Sequence, residues 1–245
     1  MPETALFAAL FFATATLYSS VGNAGASGYL AVMALAGMSQ TVMKPTALLL
    51  NIIVAAIAAG RFYRAGYFSW TLFWPFALSS VPFAGLGGAL SVPATLYNVI
   101  VGIILLLAAY RLFFYAETAA PIRRPVPLLV GIAWGAGVGF VAGLTGIGGG
   151  ILLSPLLLLA GWADARKSAG VGAAFVLVNS VAGVVGHVAA MGSLPRGIAL
   201  WAVAAAMGGI VGSELGVRHW AEVTLRRLLA LVLVIAGVKL ILVRR

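Results

Sequence analysis

Two glycine clusters interrupt otherwise apolar sequence, Gly22-Asn-Ala-Gly-Ala-Ser-Gly28 and Gly143-Leu-Thr-Gly-Ile-Gly-Gly-Gly150. Glycine costs about 1 kcal/mol against alanine inside a helix, so three or four together unwind it. A helix that restarts after each break, near Ser27 and Ile151, presents unpaired N–H groups and the positive end of its dipole. Two such ends facing each other hold an anion without a buried Lys or Arg. The backbone of Gly22, Gly25, Gly146, Gly148 and Gly149 would line that site, with side-chain donors from Asn23, Ser27 and Thr145. The competing reading of the same glycines is close helix packing through small residues.

Other polar residues stand alone in apolar surroundings. Asn51 and Asn179 either donate to an oxyanion or tie helices together, because an unpaired amide there is costly. His187 either couples proton movement to transport or sits at the membrane interface. Lys44 and Lys167 either draw anions toward a pathway mouth or only set topology. Glu214 and Arg218 are four apart, a structural pair on one helix. Two histidines, five acids and no cysteine give no metal-ligand spacing and no nucleophile–base pair. No Gly-x-x-x-x-Gly-Lys-Ser/Thr loop occurs. We expect no catalytic set, metal or cofactor.

The elements that must position these residues are membrane helices. The chain is 63% hydrophobic and 8% charged, against roughly 25% charged residues in a soluble domain. Its outer solvent must largely be lipid. Apolar runs fall at about 4–37, 45–60, 69–90, 95–115, 126–161, 168–190, 197–216 and 224–243. At about 20 residues per span, this predicts an all-α, polytopic protein of about eight transmembrane helices. The acidic start, Met-Pro-Glu, lacks the positive region of a signal peptide, so the first run is expected to be a helix. The formal net charge of +10 comes from bases dispersed in short loops, which membrane topology requires and nucleic-acid binding does not.

The first and fifth runs are too long for single straight spans, and both carry a glycine break. Asn23, Gly25 and Lys44 match Gly146, Gly148 and Lys167 at one fixed offset. Gly60, Gly66 and Gly85 match Gly186, Gly192 and Gly212 at slightly larger ones, and Arg111 aligns with Lys239. We therefore expect one domain of two repeated four-helix halves, about 4–115 and 126–243, each with a broken first helix. If all eight runs span, Arg61 and Arg64 lie opposite Lys44, Arg166, Lys167 and Arg218. The resulting nine-to-six charge split places both termini in the cytoplasm. Tyr63, Tyr67 and Trp70 would then anchor one interface, and Trp162 and Trp220 the other.

Gly143–Gly150 followed by Pro155 resembles the signature of the TauE/SafE sulfite exporter family, also called the sulfonate-uptake permease group. So do Arg61-Phe-Tyr-Arg-Ala-Gly66 and the placement of Asn51 and Asn179 in the second helix of each half. The resemblance runs from about Tyr18 to Leu242. It implies a multi-pass permease of the cytoplasmic (inner) membrane for sulfite, sulfoacetate or a related small anion. An ion gradient, of protons or sodium, would drive it rather than ATP. The first half departs from the pattern, having no run of three glycines. An anion channel, or a non-transporting membrane component, remains the alternative; unwound helices argue against the latter.

Overall fold

The computed structural model describes residues 2–114, 125–191, 198–218 and 223–242. There are ten helices among them and no strand. The first half holds α1 (Pro2–Ser19), α2 (Ala26–Leu35), α3 (Gln40–Arg64), α4 (Trp70–Ala89) and α5 (Ala94–Phe114). The second holds α6 (Leu128–Thr145), α7 (Gly150–Leu159), α8 (Ala165–Met191), α9 (Ala199–Arg218) and α10 (Val223–Leu242). The eight apolar runs thus become ten helices, because each long run is cut at its glycine cluster. Lengths of 18, 10, 25, 20 and 21 residues recur as 18, 10, 27, 20 and 20. Among the described residues α3, α4, α6, α8 and α9 are each long and apolar enough to cross a membrane. With 10 residues each, α2 and α7 rise only about 15 Å, half a bilayer.

Both short helices turn back. Ser27 donates to the Tyr18 hydroxyl at 2.7 Å, Gly28 lies against Thr14, and the Tyr29 ring meets Phe11 edge-on at 5.3 Å. As α2 advances, its partners on α1 recede. In the same way a Cβ on Gly149 would meet Ala142 and Val138, and Leu152 shares a recess with Trp134, Val138 and Val141. Each half therefore has an odd number of elements, and the two run in opposite senses.

This revises three expectations made from run lengths, which had counted each long run as one crossing. Arg61 forms an ion pair with Glu214, which Arg218 also meets at 2.7 Å. The Arg166 guanidinium donates to the Tyr67 hydroxyl at 2.7 Å. Arg61 and Arg64 thus share an end of the molecule with Arg166 and Arg218 instead of opposing them. Trp162 and Lys167 line a recess there with Ser69, Thr71 and Trp74, so Trp162 joins Tyr67 and Trp70; Trp220 lies outside the described residues. The nine-to-six split, and the placement of both termini built on it, no longer holds. Lys44 marks the opposite end, and Lys239 joins it by donating to the Leu35 carbonyl at 2.7 Å.

The halves interlock through two glycine ladders. On α6, Gly131, Gly135, Gly139 and Gly143 recur every fourth residue against Pro75, Phe76, Ser80 and Ala84 of α4. On α9, Gly208, Gly212 and Gly216 meet Phe12, Thr16 and Ser20 of α1. Lipid is as apolar as leucine, so helices gain from association mainly where backbones approach closely, and small residues permit that. The first helix of each half thereby packs on the fourth helix of the other, while α3 crosses α8 and α5 pairs with α10. Leu78, Ile103, Leu129, Val185, Val203 and Ile235 are exposed, as a lipid-facing surface requires.

Candidate functional site

The two breaks lie inside the helical bundle. In the first, Gly22 and Gly25 take φ of 75° and 102°; in the second, Gly146, Gly148 and Gly149 take 86°, 77° and 84°. Each break is braced by a tyrosine. Tyr29 donates to the Ala24 carbonyl at 2.7 Å, and Tyr97 donates to the Thr145 carbonyl at 3.0 Å. Burial of these segments is consistent with the rule that non-helical backbone at membrane depth must be enclosed by protein or line a cavity.

The helices that restart, α2 and α7, have Gly25 and Gly149 at their N-caps, and neither start has a side-chain cap. Their N-terminal groups carry a partial positive charge equivalent to roughly half a proton. The breaks touch where Asn23 Oδ1 reaches the position a Cβ on Gly150 would fill, and the Gly22 carbonyl lies beside Gly172 of α8. The first break also packs on α8, with Gly22 against the Ala169 backbone, and the second on α3, with Gly146 against the Lys44 backbone.

Asn51 and Asn179, both fully buried, flank the second break. Asn51 Nδ2 donates to the Gly146 carbonyl at 3.3 Å, and Asn179 Nδ2 donates to Phe175 of its own helix at 2.9 Å. A Cβ on Gly148 would lie 2.8 Å from Val176, 3.0 Å from Asn51 Nδ2 and 3.0 Å from Ser180 Oγ. Ser180 was missed in the sequence, although it directly follows Asn179 in an apolar run.

Other expected site residues are engaged elsewhere. Ser27 spends its proton on Tyr18, and Thr145 Oγ1 donates to the Val141 carbonyl at 2.6 Å. His187 is 4% exposed and stands apart from the breaks, in a recess with Gln40, Lys44, Ser91 and Tyr97. Through Tyr97, Lys44 and Leu144 that recess borders the second break.

Lys44 is buried, and its ammonium donates to the carbonyls of Gly87, Gly88 and Leu90 at 3.1, 2.8 and 3.0 Å. It closes the C-terminus of α4, where unpaired carbonyls and the negative dipole end favour a cation. The Arg61–Glu214–Arg218 cluster bridges α3 and α9 at the other end.

A family model described as "Sulfite exporter TauE/SafE" matches residues 6–240. A protein of Sinorhizobium fredii (strain NBRC 101917 / NGR234), described as "Probable membrane transporter protein y4hK", is 39% identical over 235 residues. The match covers 94% of this chain and 95% of that protein. No solved structure matches the chain.

Proposed function

The chain belongs to the sulfite exporter TauE/SafE family of membrane transporters, and from that premise we propose a secondary transporter. It carries a small anion, such as sulfite or an organosulfonate, across the cytoplasmic membrane. The observation that carries this reading is the contact between two buried breaks, Asn23 of one against Gly150 of the other, each leading into a half-helix with no side-chain cap. Paired helix N-termini at the interface of repeated halves are a recurrent anion site in transporters. The recurring helix lengths and opposite senses support treating 4–115 and 126–243 as an inverted repeat.

Sidedness follows from charge. Arg61, Arg64, Arg166, Lys167 and Arg218 gather at one end, and Lys44 and Lys239 at the other. Positive charge is retained on the cytoplasmic side, so the Arg61 end faces the cytoplasm. The recess holding Lys44 and His187 opens toward the outer face.

Purified protein in liposomes, offered sulfite, sulfoacetate, thiosulfate and carboxylates in turn, tests the proposal. Counterflow of one anion class, saturable and competed by the others, is expected. Ohmic unitary currents without counterflow would replace the transporter with a channel.

A further inference from the structure

Six buried side-chain oxygens have no hydrogen-bond partner among the described residues: two, on Gln40 and Thr46, lie in the first turns of α3, and the other four are Oδ1 of Asn23, Asn51 and Asn179, and Oγ of Ser180. These four come from the first break, α3 and α8, and three of the residues, Asn23, Asn51 and Ser180, border residues 148–150. Asn51 and Ser180 adjoin Gly148, and Asn23 adjoins Gly150. Asn179 lies one turn beyond Phe175, whose ring a Cβ on Gly149 would approach to 2.9 Å. Two of the amides cannot be turned round to relieve this. Asn51 and Asn179 already place their NH2 groups on the Gly146 and Phe175 carbonyls, so a flip would set oxygen against oxygen.

Buried oxygens left without a hydrogen-bond partner are complementary to a cation. Amide oxygens do not titrate, so a proton has no group to bind here. Asp164 and Glu214 lie in a loop and at a helix end on the Arg61 side, and Glu3 stands at the start of α1. Divalent ions draw on carboxylates, whereas this ligand set is neutral and suits a monovalent hard cation. The C-terminus of α6, ending at Gly146, adds the negative end of a helix dipole.

We infer that Asn23, Asn51, Asn179 and Ser180 form a sodium site beside the second helix break. The inference rests on the transport reading in one respect. A sodium ion next to the starts of α2 and α7 offsets the charge of an anion held there, so the two solutes are carried together.

The site is tested without any anion. Purified full-length protein is melted in sodium, potassium and choline chloride at equal ionic strength, and 22Na binding is counted in parallel. Sodium alone is expected to raise the melting temperature saturably, on the order of 5 °C at high occupancy. Ser180→Ala removes one oxygen and Asn23→Ala one carboxamide, and each should weaken sodium binding about tenfold. Equal melting in the three salts, or unchanged binding in both variants, overturns the site and leaves these oxygens to water. Anion flux into vesicles distinguishes the two readings. Flux that persists undiminished without sodium overturns the coupling alone. Sodium binding with no anion flux under any gradient keeps the site and removes the transporter.

Discussion

Replacing Gly148 by alanine probes the second break most directly. Its φ of 77° lies in the left-handed region, where a residue with a side chain costs about 1–3 kcal/mol. The added Cβ would also press on Val176, Asn51 and Ser180 at 2.8–3.0 Å. Overpacking of a tight interior costs a further 1–3 kcal/mol or so, for a total of about 2–6 kcal/mol. At about 1.4 kcal/mol per tenfold, the lower figure predicts roughly a twenty-five-fold loss of anion affinity where the break is the site and the strain falls on the bound state. Gly137→Ala on α6 is the control. Nothing lies within 4 Å of its Cβ, and alanine favours the helix by about 1 kcal/mol. Equilibrium anion binding and detergent-phase melting, measured on both variants, report the comparison. A Gly148→Ala protein that binds and transports within about twofold of Gly137→Ala would refute the reasoning, and the anion would have to bind elsewhere.

Three further outcomes follow from the packing. Gly139→Val drives a branched side chain into the Ser80 backbone, parting α4 from α6, and should abolish the monodisperse peak in size-exclusion chromatography that Gly137→Val retains. Lys44→Met removes three charge-assisted hydrogen bonds, a cost on the order of 3 kcal/mol, and should lower the melting temperature by roughly 6–12 °C. The chain has no cysteine, so single cysteines report sidedness cleanly. Tyr63→Cys and Arg218→Cys should react with an impermeant maleimide from one side of the membrane, and Ser39→Cys from the other.

The sequence revealed where the helices break but not where they go next. Clustered glycines at residues 22–28 and 143–150 are a local signal, since positive φ at Gly148 is a property of the residue itself. The reversal after each break depends on contacts such as Phe11 with Tyr29 and Gly149 with Val138, which no run length encodes. One wrong assumption about crossing number therefore moved Trp162, Arg166 and Arg218 to the wrong end together. The glycine ladder was legible and overlooked: Gly131, Gly135, Gly139 and Gly143 repeat every four residues, the period of one helix face. Of the breaks' neighbours, Asn51 and Asn179 stood out as amides in apolar runs, while Ser180 and Tyr97 became meaningful only once α3, α5 and α8 were assembled around them.

The exchange of first helices between halves has a consequence for biosynthesis. α1 finds its ladder partner only when α9 has been made, and α4 waits for α6 and α8. When the ribosome finishes α5, the emerged segment has little to pack against except lipid. Its small-residue surfaces stay open until the second half inserts with the opposite sense. Assembly is thus deferred to the last stretch of translation, and its contacts join residues roughly 200 positions apart, such as Thr16 and Gly212. Contacts of such long range slow folding, so a chain truncated after α8 should be inserted yet remain a substrate for membrane quality-control proteases.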